Sequence, residues 1–131
     1  ANRPGEKSIG YDDKATNEFK EYEKLILLDG DHDVFGDGLV MLISTPGHTE
    51  GHQVLVIKLR EYGPVILSGD AIHFAEELEH HIFPTFNASA EQSAATVKTL
   101  LELETALGGE LWIQHDPVQH QKRKIAPDYY R

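Results

Sequence analysis

Residues 45–52 read TPGHTEGH, and apolar runs flank this stretch at 39–43 and 54–59. Both runs are short and rich in Val, Ile and Leu, which is typical of strands. Pro46 and Gly47 favour a tight turn that would direct His48 out of the sheet edge. A neutral imidazole held on such a loop is a good zinc ligand, so His48 is the first candidate metal ligand. His52 is interpreted as a residue that supports the site.

Two further strand-like runs end in residues that bind metals. The run at 65–67 is followed by Gly69 and Asp70, and the run at 111–113 is followed by His115. Taken alone, a Gly-Asp pair is usually just a turn, and a single histidine is as often structural. Because open sheets place ligands at the carboxyl ends of their strands, we expect His48, Asp70 and His115 to converge.

The rest of the chain predicts a layered α/β or α+β domain. A fifth apolar run at 25–28 also suits a strand. Ser89 and Gln92 form a capping-box signature, apolar residues then recur at helical spacing to residue 107, and a Gly-Gly pair follows. Residues 1–24 form a polar lead-in, residues 25–131 form the folded part, and the tail after Pro117 is expected to pack irregularly.

Composition excludes several classes of function. The 131 residues include 22 acidic against 12 basic side chains, a formal net charge of −10, which disfavours nucleic acids and anionic membranes as partners. With no cysteine, a metal must be held by imidazole and carboxylate. The sequence has neither a membrane-length apolar run nor a signal-like start, so we expect a cytoplasmic protein. Since its only methionine is Met41, a longer precursor is expected.

Three ordered motifs, PGHTEGH at 46–52, LSGDA at 67–71 and LWIQHD at 111–116, resemble the later metal-ligand motifs of the metallo-β-lactamase superfamily. Residues 27–130 look most similar to its N-acyl homoserine lactonases. The resemblance implies a layered sandwich of which residues 25–131 form the second half, that is, the second half of an αββα fold. It also implies a site for two Zn²⁺ ions in which His48 binds the first ion, Asp70 bridges both and His115 binds the second. Manganese and iron are also used in the superfamily.

The sequence departs from the family in two places. The family's opening motif, HxHxDH, is absent, so half of the site is missing and we expect weak zinc binding and little hydrolysis from this chain alone. His73 stands where homoserine lactonases often have a tyrosine that meets the substrate. We interpret His73 either as a catalytic residue that donates a hydrogen bond or a proton, or as a surface histidine.

Three functions remain open at this point. The resemblance implies a hydrolase that opens a lactone or other ester through attack by metal-bound hydroxide. The same site would also suit a thioester, a phosphotriester or a β-lactam. In the third interpretation the chain is an inactive binding or assembly fragment that pairs with a missing N-terminal half or with another copy of itself.

Overall fold

One sheet organises residues 26–131, which are the residues that the structure, a computed structural model, describes. Within this range five strands lie in sequence order across the sheet. Neighbours from β1 to β4 are antiparallel, whereas β4 and β5 are parallel because a helix connects them. The strands are β1 (His32–Asp33), β2 (Val40–Ser44), β3 (Gln53–Leu59), β4 (Gly63–Leu67) and β5 (Glu110–Trp112), and the helices are a 3₁₀ turn (Gly69–Ala71), α1 (Ala75–His80), α2 (Ala90–Leu107) and α3 (Pro117–Gln121).

Helix α2 begins and ends where the sequence predicts, so this prediction is confirmed. Ser89 Oγ accepts a hydrogen bond from the N–H of Gln92 at 3.2 Å, as an N-cap residue does. Gly108 ends the helix in a left-handed conformation, with φ 59° and its N–H bonded to the carbonyls of Glu104 and Thr105. The face that carries the fully buried Leu100 packs against the sheet.

The two faces of the sheet differ in burial. Successive side chains along each strand point to opposite faces of the sheet. On the face that helix α2 covers, four residues that are aligned across β2 to β5 pack into the core with Leu100. Four neighbouring residues, also aligned across β2 to β5, lie on the other face and are only partly buried. The helix-side set is Met41, Val56, Ile66 and Leu111, and the other set is Leu42, Leu55, Leu67 and Trp112.

The prediction of a strand at 25–28 is wrong for the residues that the structure describes. Ile26 and Leu27 have no regular structure and are 73% and 86% exposed. The edge strand lies further along, at His32–Asp33, where Asp31 Oδ1 accepts a hydrogen bond from the N–H of Ser44 at 2.8 Å. An apolar run becomes a strand only when it has a pairing partner, and β2 pairs with this later segment instead. The predicted polar lead-in at 1–24 lies outside the described residues.

Two short helices lie outside the elements predicted from the sequence. Helix α1 contains three glutamates in six residues, and only Ala75 and Leu78 among its apolar side chains pack against the core, so apolar periodicity is weak. Helix α3 interrupts the tail that was expected to be irregular, because the side chain of Asp116 caps its first turn. None of the helices in residues 26–131 is long and apolar enough to cross a membrane.

Candidate metal centre

The candidate ligands meet at one edge of the sheet. β2, β4 and β5 run in the same direction, since β2 and β4 are each antiparallel to β3 and β5 is parallel to β4. Their carboxyl ends therefore lie along one edge, where open sheets hold ligands. His48 follows β2, Asp70 lies in the 3₁₀ turn after β4, and His115 follows β5.

The loop that carries His48 is fastened to the start of helix α2. The carbonyls of Gly47 and His48 accept hydrogen bonds from the N–H groups of Ser89 and Ala88, at 3.0 and 3.1 Å. Thr96 Oγ1 donates to the carbonyl of Pro46 at 2.7 Å. These bonds fix the backbone on both sides of the imidazole, so helix α2 determines where His48 lies.

Asp70 lies between two imidazoles and presents a different oxygen to each. Its Oδ1 is 2.8 Å from His115 Nε2, and its Oδ2 is 3.6 Å from His48 Nε2. Burial would raise the pKa of Asp70, but the hydrogen bond to His115 and the nearby histidines outweigh that effect and lower the pKa. The carboxylate is therefore charged at neutral pH, as a metal ligand must be.

His52 holds the backbone of Asp70 and does not point to the carboxylate. Its Nε2 accepts a hydrogen bond from the N–H of Asp70 at 3.0 Å, so this nitrogen carries no proton. The proton of the neutral ring is then on Nδ1, which lies 3.2 Å from the carbonyl oxygen of Thr45. Burial lowers the pKa of His52, which favours this neutral form. The interpretation of His52 as a supporting residue has this geometry in its favour.

Asn87 orients the His48 ring. Its Oδ1 lies 3.0 Å from His48 Nδ1, and its Nδ2 donates to Ser93 Oγ at 2.9 Å. Because an amide oxygen only accepts, the His48 proton is assigned to Nδ1, which leaves the Nε2 lone pair free on the side of Asp70. No recognisable sequence motif marks Asn87 for this role.

Replacing Asn87 with alanine is expected to lower the zinc affinity of the chain by roughly 10–100-fold, because the ligand ring loses the bond that fixes its orientation. Competition with a chelator of known affinity measures this change. Gln92→Ala, an exposed side chain at the start of helix α2, is the matched control and should leave the affinity unchanged. Equal zinc affinity in Asn87→Ala and the unaltered chain would contradict this role.

His73 lies near both candidate histidine ligands. Its ring centroid is 5.4 Å from that of His48 and 5.4 Å from that of His115, on which it stacks at 24°. The ring of Phe86 lies 5.9 Å away, edge to face. His73 therefore borders the same space as the candidate ligands.

Two ions could each take two ligands from this donor set, since imidazole and carboxylate are ligand types that zinc uses. A tetrahedral zinc ion separates an imidazole nitrogen from a carboxylate oxygen by about 3.3–3.5 Å, and the two observed separations lie on either side of this range. Among residues 26–131, no group of three or more His, Cys, Asp or Glu side chains is arranged to hold one ion. The remaining ligands of each ion would have to come from elsewhere.

Two further acidic residues contact or adjoin candidate site residues. Asp116 follows His115, and its carboxylate accepts from the N–H groups of Gln119, Ala75 and Val118, which lowers the pKa of Asp116. Glu77 contacts His73. For Glu77 the spacing of four residues from His73 is the only local hint, since His73 lies just before helix α1 and Glu77 lies in its first turn.

Comparison with known protein families gives a match over most of the chain. A family model described as "Metallo-beta-lactamase superfamily" matches residues 3–107. The N-acyl homoserine lactonase AttM of Azorhizobium caulinodans is 32% identical over 103 residues, covering 79% of this chain and 39% of that protein. The N-acyl homoserine lactonase AiiA of Bacillus thuringiensis subsp. kurstaki is 30% identical, covering 79% of this chain and 40% of that protein. The chain thus spans about two-fifths of the length of these relatives.

Solved structures agree with the fold. An N-acyl homoserine lactone hydrolase with the product N-hexanoyl-L-homoserine bound at its catalytic metal centre superposes with a TM-score of 0.70 at 30% identity. A quorum-quenching N-acyl homoserine lactone lactonase also gives a TM-score of 0.70, at 31% identity. These matches cover 79% of this chain and 40% or 42% of the other chains. The predicted layered fold with mixed α and β elements is confirmed.

Proposed function

The chain belongs to the metallo-beta-lactamase superfamily, and from this membership we propose that it supplies one half of a two-metal hydrolase site that opens a lactone or related ester. The observation that carries the proposal is Asp70, whose two oxygens face two different imidazoles at 2.8 and 3.6 Å. A bridging carboxylate would present its two oxygens to two ions in this way. The relatives at about 30% identity are N-acyl homoserine lactonases, so the proposed substrate is an N-acylated lactone.

Each candidate residue has a distinct part in this proposal. His48 and Asp70 Oδ2 would hold one divalent ion, and Asp70 Oδ1 and His115 would hold the other. Zinc is the expected metal, since imidazole and carboxylate suit it. When bound, the two ions would supply a Lewis acid for the carbonyl and an activated water. His73 would contact the substrate, and Phe86 would exclude water beside it.

The proposed site is incomplete without a second set of ligands. In the family that this chain resembles, an HxHxDH motif supplies the remaining ligands of both ions. This motif does not occur in these 131 residues. We propose that the missing ligands come from an N-terminal half of the same domain. The partly exposed apolar face with Leu42, Leu55 and Leu67 supports this, because a second sheet packed there would bury it.

Another substrate and another role are the alternatives to this proposal. The imidazole of His73, in place of a tyrosine, changes the hydrogen-bonding group that meets the substrate, so a thioester, a phosphotriester or a β-lactam is the alternative substrate. The same apolar face favours an assembly fragment that pairs with a second copy of this chain and has no activity. The cytoplasmic location stays a prediction from the sequence.

The test compares zinc content and lactone hydrolysis, with and without the missing half. Elemental analysis gives zinc per chain, and acid release reports ring opening of an N-acyl homoserine lactone. Alone, the chain should bind zinc weakly and hydrolyse little. Mixed with the separately expressed N-terminal half of a lactonase relative, it should bind about two zinc ions per pair and open the ring.

A triple variant, His48→Ala with Asp70→Ala and His115→Ala, should lose the metal and the activity of the mixture. His80→Ala with His120→Ala, which changes exposed histidines away from the site, is the control. Zinc content and hydrolysis that do not differ between the triple variant and the control would contradict the proposed function. A stable pair or homodimer without metal or activity would favour the assembly role.

A further inference from the structure

Glu77 is a buried acid beside the candidate catalytic histidine. Only 9% of the residue is exposed, and it lies in the first turn of helix α1. Its Oε2 accepts a hydrogen bond from the backbone N–H of His73 at 3.1 Å. Its Oε1 lies 3.3 Å from His73 Nδ1, with both side chains largely shielded from solvent. One carboxylate thus contacts both the backbone and the ring of His73.

The chemistry of this contact determines where the ring carries its proton. A carboxylate offers only lone pairs, so an unprotonated Nδ1 facing it would bring two acceptors together. His73 Nδ1 is buried and has no aligned hydrogen-bond partner within residues 26–131, although Glu77 Oε1 is close enough to accept one. Because an unpaired buried N–H is costly, an N–H on Nδ1 would align with Glu77. A neutral imidazole with its proton on Nδ1 has a lone pair on Nε2.

We propose that Glu77 is a positioning residue that keeps the proton of the neutral His73 ring on Nδ1, so that Nε2 meets the substrate as a hydrogen-bond acceptor. This rests on the proposed function in that the substrate binds beside His73. An acceptor at this place selects for a substrate that presents an N–H or O–H group, as the amide of an N-acylated lactone does. A tyrosine hydroxyl at the same place can donate, whereas this Nε2 cannot.

The rings of His115 and His48 lie beside the His73 ring, so its orientation determines where Nε2 lies. The ring planes of His73 and His115 are stacked and nearly parallel, at 24°, and the His48 ring lies at an equal centroid distance on a tilted plane. A ring held at Nδ1 by Glu77 has one nitrogen left for a ligand. Rotation of the ring would break the Glu77 contact, so Glu77 also limits the positions that Nε2 can take.

The tautomer can be measured directly in the metal-free chain. Long-range ¹H–¹⁵N correlation spectra of the ¹⁵N-histidine-labelled protein at about pH 8, where an ordinary imidazole is neutral, distinguish a proton on Nδ1 from one on Nε2. The spectrum of His73→Asn assigns the signal. We expect the Nδ1–H form to exceed the Nε2–H form by at least about tenfold.

Glu77→Gln separates this role from a purely structural one. The glutamine oxygen still accepts from the His73 N–H, so the start of helix α1 is kept, but its NH₂ group now faces Nδ1 as a donor. The tautomer ratio should therefore reverse. Glu76→Gln, an exposed neighbour on the same helix, is the matched control and should leave the ratio unchanged.

A wild-type signal with the proton on Nε2, or an unchanged ratio in a folded Glu77→Gln variant, would overturn the inference. The wild-type spectrum decides the matter even when the variant does not fold. This readout requires no hydrolysis, so it is separate from the test of the proposed function. If the lactone is not opened, the tautomer result still stands. If the tautomer prediction is wrong, the result of the hydrolysis assay still stands.

Discussion

Asp70→Asn is expected to lower the zinc content and the lactone hydrolysis of the chain by at least about a hundredfold, when both are measured in the mixture with the N-terminal half of a lactonase relative. The amide removes the negative charge that both ions would share, and its NH₂ group cannot ligate. The fold should survive, because His52 holds the backbone N–H of Asp70 and not its side chain. Elemental analysis and initial hydrolysis rates measure the two effects.

Asp29→Asn provides the matched control for this change. It removes the same charge from an exposed position outside the site and should leave zinc content and rate unaltered. Two zinc ions retained in Asp70→Asn would show that this residue does not bridge the ions. The contacts of its two oxygens with His48 and His115 would then have a purely structural role.

Gly47→Ala is expected to destabilise the fold by more than about 3 kcal/mol, and the variant is expected to be largely unfolded at 37 °C. A Cβ atom at Gly47 would lie 2.6 Å from the backbone nitrogen of Ser93 and 2.7 Å from its Cα. These are backbone atoms of helix α2, so they cannot turn away as a flexible side chain can. The φ of Gly47 is also positive, at 148°, which adds strain for any side chain.

Gly51→Ala is a control in the same loop, since a Cβ atom there meets nothing within 4 Å. Its unfolding free energy should change by less than about 1 kcal/mol. Urea unfolding followed by circular dichroism measures both variants. Closely similar midpoints for Gly47→Ala and Gly51→Ala would contradict the close approach of this loop to helix α2. Any folded Gly47→Ala protein should also bind zinc less tightly, because His48 follows directly.

The strands show how far local patterns predict this fold. The runs at 39–43, 54–59, 65–67 and 111–113 all overlap observed strands, and the helix after Ser89 is capped as its sequence indicates. These elements were predictable because their apolar periodicity and caps act over a few residues. The prediction of a strand at 25–28 was wrong, because pairing with β2 depends on which segment reaches the sheet edge, and that is not a local property.

The candidate site divides in the same way. His48, Asp70 and His115 follow strand-like runs, so their common edge was predictable from sequence order and strand direction. Asn87 and Glu77 were not, because neither has a recognisable motif. Asn87 is 39 residues from His48 in sequence, and Glu77 reaches His73 only through a short polar helix that periodicity does not reveal.

The amino-acid sequence by itself determined the types of candidate ligand, their order along the chain and the layered fold, because turn residues and apolar runs impose these locally. Only the tertiary structure decided that each oxygen of Asp70 faces a different imidazole, that His52 holds the Asp70 backbone and that Glu77 contacts His73. Such contacts depend on how loops from separate strands pack against helix α2 and against one another. Distances of a few ångströms between distant residues are set by that packing, and no local pattern encodes them.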